Sequence, residues 1–160
     1  VITSTCTLTG GGSAGTGTQN VTVTLPTVQN SVFGAANTTA QPTNFTLALT
    51  NSTGSAPCDA VTIAGLQGIT LGGPTNAGQY VSGDTTRLVN TVPGSTVNVQ
   101  LELASVSTPI DFALTNQLTN SNATTTTSGI WNMQAQYFSD AATPTAQEVK
   151  SVVNYILNYN

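Results

Sequence analysis

The sequence predicts an all-β protein built as an antiparallel β-sandwich. Three observations carry this. Apolar residues recur at a period of two in short runs, the runs are rich in β-branched and aromatic residues, and clusters of Gly, Pro and Asn separate them. Helical periodicity is nearly absent. The 160 residues suffice for one hydrophobic core, and with no linker or internal repeat they read as a single domain over 1–160.

Taken in order, Ile2, Cys6 and Leu8 share one face of a first strand, and residues 10–17 read as a Gly/Ser loop. Val21, Val23 and Leu25 mark a second strand stopped by Pro26, and Phe45, Leu47 and Leu49 a third. Val61 and Ile63 continue the strand pattern after Cys58, while residues 66–71 fit a short turn or strand. The cleanest amphipathic run has Val97, Val99, Leu101 and Leu103 inward, with Asn98, Gln100 and Glu102 facing water. A short strand over Ile110, Phe112 and Leu114 follows Pro109, which leaves Asp111 solvated. Trp131, Met133, Ala135 and Tyr137 form the next strand. Residues 72–78 and 120–129 read as surface loops, with 124–127 among the more mobile parts.

The composition narrows the function classes. Only 5% of residues are charged, and two cations against six acids give a net charge of −4. No basic footprint exists for nucleic acid or an anionic membrane. Polarity comes from Thr, Ser, Asn and Gln, which do not titrate, so the surface is nearly indifferent to pH and salt. A thin charge screen also permits self-association. No apolar run approaches the ~18 residues that span a bilayer, so membrane insertion is not expected. Val1 opens the chain without a basic n-region, as in a mature or trimmed sequence. The sequons at Asn20, Asn37, Asn44, Asn51 and Asn122 are what chance supplies in so Asn- and Thr-rich a chain.

Cys6 and Cys58 are the only cysteines. In an extracytoplasmic setting, which the polar, Lys-poor composition suits, the pair reads as a disulfide; two buried free thiols are the alternative. Closing that loop stabilises the fold by roughly 4 kcal/mol in the chain-entropy estimate. A metal site lacks a His to complete it, and no metal or other cofactor is expected.

Little supports catalysis. Without His a Ser-His-Asp arrangement is impossible, and the six acids form no recognisable pair for glycoside hydrolysis. The 10–17 glycine run has no Lys and no following helix, so it is not a phosphate loop. Trp131 alternates with Met133 and Tyr137 and belongs to the core rather than to a sugar-stacking surface. Tyr80, between Gly78 and Gly83, is an aromatic that a loop can offer to a ligand.

The last strand is the most informative. Val153, Tyr155, Leu157 and Tyr159 fall on one face, with Asn154 and Asn158 opposite and Ile156 the exception. An apolar strand at a chain end, with no later strand to cover its edge, is a pairing site.

An ordered set of segments now resembles a family. Thr5-Cys6 comes first, then Val-Thr-Leu-Pro-Thr-Val at 23–28 and the alternating run at 45–49 before Cys58. Asn-Val-Gln-Leu-Glu-Leu at 98–103 leads to Pro-Ile-Asp-Phe at 109–112. Met-Gln-Ala-Gln-Tyr-Phe at 133–138, Ala-Thr-Pro at 142–144 and a penultimate Tyr159 complete it. The chain resembles the chaperone–usher pilins, the type 1-like fimbrial subunits of Gram-negative bacteria. The resemblance implies an incomplete immunoglobulin-like sandwich lacking its last strand, with a hydrophobic groove beside the C-terminal strand. A periplasmic chaperone fills that groove first, and a donor strand from a neighbouring subunit then replaces it, the outer-membrane usher serving assembly. The implied product is an extracellular fimbrium, reached through the periplasm, that supports cell adhesion; a tip adhesin domain binding a host glycan is the alternative. Two departures stand out. Only five residues precede Cys6, where family members carry a longer donor segment, so that segment is either trimmed or absent as at a fibre tip. Gln147 occupies a region where the family tends to place Gly.

Overall fold

The computed structural model describes residues 5–160. Ten strands run in chain order: β1 (Cys6–Gly11), β2 (Gly15–Thr16), β3 (Thr22–Val23), β4 (Thr38–Asn51), β5 (Leu66–Leu71), β6 (Tyr80–Val81), β7 (Asp84–Leu88), β8 (Asn98–Leu103), β9 (Ile130–Ser139) and β10 (Tyr155–Tyr159). A six-stranded sheet has the order β1-β4-β9-β8-β7-β6, and β5 pairs with β10 as a second, two-stranded sheet. Every pairing between these strands is antiparallel. One core joins the layers: Leu8, Leu49, Trp131 and Met133 from the large sheet meet Ile69 and Leu71 from the small one. Leu118 and Phe112, both wholly buried, fill in from the connecting segments.

The long strand β4 contains Pro42, which cannot donate to a ladder. The chain accommodates it with a bulge, a register shift between Ala40 and Thr43 with Gln41 at φ 59°. The Gly/Ser loop expected over 10–17 is instead a tight return in which β1 runs on to Gly11 and β2 folds back. A Cβ on Gly15 would stand 2.5 Å from the Gly11 carbonyl oxygen, so only glycine permits this approach. The first strand starts at Cys6, and Ile2 lies outside the described residues.

Several expectations need correction. Val61 and Ile63 lie on a short helix, α1 (Ala60–Ala64), not a strand; Asp59 caps it by accepting from the Thr62 amide at 3.1 Å. The Ile110–Leu114 alternation forms no strand either. Asp111 turns the chain there, accepting from Thr85 Oγ1 at 2.6 Å and from the Ala113 amide at 3.0 Å, and is partly buried rather than solvated. On β8, Gln100 and Glu102 are buried, not water-facing, while Leu101 and Leu103 stay partly exposed. The Gln136 side-chain amide of β9 donates to Gln100 Oε1 at 3.1 Å, so long amides pack on each other across the outer face. Tyr80 is buried and donates to the Gly73 carbonyl, which removes it from any loop surface.

Candidate functional site

Cys6 and Cys58 form a disulfide, their Cα atoms 5.7 Å apart. It ties the start of β1 to the residue before the helix cap of α1.

Beside it runs a groove of about 940 Å³. Its floor is the inner face of the large sheet, with Phe45 and Leu47 of β4, Leu101 of β8 and Ala135 of β9. One wall is β1 with the segment 19–25, including Val21 and Leu25; the other is residues 149–157. The floor is continuous with the core, because Val21, Leu25, Leu101, Val149, Val153, Tyr155 and Leu157 all pack against its buried residues while remaining partly exposed.

The strand register fixes which backbone groups face this groove. Ile69 of β5 exchanges both backbone bonds with Leu118, and Leu71 bonds the Gln117 side chain through its N–H and C=O at 2.8 and 3.0 Å. Their β10 partners, Leu157 and Tyr155, therefore stand in the non-hydrogen-bonded pairs of the ladder. The N–H and C=O of Tyr155 and Leu157 consequently point away from β5, along the open edge. The same alternation holds on β1. Leu49 uses its backbone on Gly129 and Cys58, so Leu8, opposite it, directs its N–H and C=O outward. Leu8 C=O accepts from the Gln19 amide, and Gly10 N–H donates to Gly17 C=O, both at 2.8 Å. The hairpin thus covers the β1 edge as far as the Leu8 C=O and leaves Cys6 and the Leu8 N–H facing the groove.

Of the four terminal-strand residues singled out from sequence, the structure brings Val153, Tyr155 and Leu157 together on the groove wall. Tyr159 is not on it. A register shift between Asn158 and Tyr159 turns it away, and it is 43% exposed. Burial and the Asp59 carboxylate raise its hydroxyl pKa above the usual tyrosine value. Sequence reasoning did not find Leu101, Val149, Val21 or Leu25 as lining residues. For Leu101 a signal existed, since its run alternated perfectly; the others sit in short segments without a readable period. Trp131 is wholly buried, its indole N–H donating to the Thr119 carbonyl and to Asn122 Oδ1 at 3.0 Å each. Gln147 accepts from the Thr96 and Val97 amides at 2.8 Å, pinning the approach to the 149–157 wall.

Neither a protein family nor a curated sequence matches this chain. A search of solved structures finds the P pilus rod subunit PapA, at a TM-score of 0.66 and 16% identity, covering 100% of this chain and 94% of that one. The chain has the fold of a chaperone–usher pilin: all-β and antiparallel, with one disulfide, and a second sheet of two strands beside an open groove.

Proposed function

We propose that this protein is a structural subunit of a surface fimbria that polymerises by taking an extended strand from a neighbouring subunit into its groove. One observation carries the reading. A pilin-fold chain exposes an apolar floor between two strand edges whose backbone groups at Cys6, Tyr155 and Leu157 face inward. The incoming strand gains ladder hydrogen bonds from β10, and its alternate side chains enter the floor. Five such side chains at roughly 1.5–3 kcal/mol each give on the order of 10 kcal/mol before ordering costs.

On this reading Val153, Tyr155 and Leu157 form the pairing strand. A periplasmic chaperone occupies the groove before assembly, an outer-membrane usher hands the subunit on, and the assembled fibre is extracellular and supports adhesion. The work is assembly, not turnover.

The test is thermal melting of the purified chain with and without a synthetic peptide alternating Val or Ile with Thr. A saturable rise in melting temperature is expected with that peptide and none with a scrambled, polar-interrupted control. Identical melting with both peptides, together with no capture by a fimbrial chaperone, rejects the proposal.

A further inference from the structure

We propose that Tyr155 is a latch on the groove, held shut by its phenolic hydroxyl; this rests on the groove being the strand-acceptor site. Tyr155 belongs to β10, yet every hydrogen bond of its hydroxyl is made on the opposite wall. The oxygen lies 3.0 Å from Thr7 Oγ1, 3.3 Å from the Leu8 amide nitrogen and 3.0 Å from the Gln19 carbonyl oxygen. A phenol has one proton to donate and two lone pairs to fill. Donating to Gln19 C=O while accepting from Leu8 N–H and Thr7 O–H satisfies all three, so the hydroxyl is saturated by β1 and the segment behind it.

The choice of partners gives the contact its role. Leu8 N–H is one of the outward-facing groups of the β1 edge, and the Tyr155 oxygen is the acceptor it has among the described residues. A strand laid between β10 and β1 needs that same N–H for its own ladder. It must therefore take Leu8 N–H from the phenol and swing the ring off the β1 wall. The hydroxyl acts as a one-residue stand-in for the missing backbone: it keeps the β1 edge satisfied until a full strand arrives, and it withholds that edge from partners too weak to displace it. Uptake then has two stages, docking along Leu101, Val149 and Val153, followed by release of the latch and pairing at Leu8.

The test compares the wild-type chain with Tyr155→Phe, which keeps the ring, and with Thr7→Val, which removes one contact from the other wall. The probe is the alternating Val/Thr peptide, and its association rate is followed by the change in intrinsic fluorescence or by surface capture. Losing the hydroxyl bonds speeds association about fivefold in Tyr155→Phe, about 1 kcal/mol, with a smaller rise in Thr7→Val. Without any peptide, Leu8 amide exchange measured by NMR accelerates in Tyr155→Phe while Gly10, bonded to Gly17, stays protected. Equal association rates in all three proteins, or unchanged Leu8 exchange, overturn the latch and leave the groove reading intact. Slower uptake by Tyr155→Phe also overturns it. If no variant takes up the peptide, the acceptor reading falls and the latch falls with it.

Discussion

A matched pair of leucines separates a core role from a groove role. Leu49 of β4 is 2% exposed, and Leu101 of β8 lines the groove floor, partly open. Leu49→Ala removes a filled site and costs about 2–5 kcal/mol. Leu101→Ala removes a side chain that is only partly covered, and costs no more than about 1.5 kcal/mol in the isolated chain. At roughly 2–4 °C per kcal/mol for a domain of this size, the first change lowers the melting temperature by about 4–20 °C and the second by at most about 6 °C. Peptide addition reverses the ranking. At a concentration of about a hundred times Kd, wild type gains about 2.7 kcal/mol, or roughly 5–11 °C. Loss of about 1.4 kcal/mol of contact in Leu101→Ala weakens Kd about tenfold, which halves the gain to about 1.4 kcal/mol at the same concentration. Leu49→Ala keeps the full increment above its lowered baseline. Differential scanning fluorimetry with and without peptide reads both quantities. Equal peptide increments in wild type and Leu101→Ala would refute the placement of the incoming strand on this floor.

The remaining expectations are as follows. Replacing both cysteines by Ser, for a bridge spanning 52 positions, costs roughly 4 kcal/mol and about 8–16 °C in melting temperature; unchanged melting would contradict a stabilising bridge. Leu157→Asn, on the open wall, abolishes chaperone capture in a pull-down while circular dichroism stays native; normal capture would count against the edge assignment. Burial raises the Glu102 pKa in the folded chain, so the native state holds that proton more tightly than the unfolded one. Stability therefore falls as pH rises from the ordinary glutamate value through the raised folded one, and Glu102→Gln increases the melting temperature at neutral pH but not at pH ~3. A lower melting temperature for Glu102→Gln at neutral pH would contradict this.

Much of the architecture was legible because alternation reports burial on one face only. β9 reads correctly from Trp131, Met133 and Ala135, all inward and all buried. β5 was ambiguous because Leu66, Gly68, Ile69, Thr70 and Leu71 are all buried, which erases the period that marks a half-exposed strand. The helix α1 was missed because Val61 and Ile63, two apart, mimic a strand; the informative residue was Asp59, whose carboxylate caps the turn. Gln100 and Glu102 misled because a polar side chain on a sheet face does not reveal whether other long polar side chains cover it. The site was half legible. Its edge strand was visible in the alternation, but the groove needs β1, residues 19–25 and residues 149–157 brought together, and such distant approach leaves no local trace. The reach of the Tyr155 hydroxyl to Leu8, across 147 positions, had no signal at all.

The bridge between Cys6 and Cys58 has a mechanical consequence for this cleft. Cys6 begins one bank, while the segment after Cys58 leads through α1 into β5, to which the other bank is zipped. The two banks are therefore tied together through Cys6, with only seven positions between Cys58 and Leu66 to yield. The cleft thus has one bank held at Cys6 through a covalent tie and a short connector, rather than two free edges.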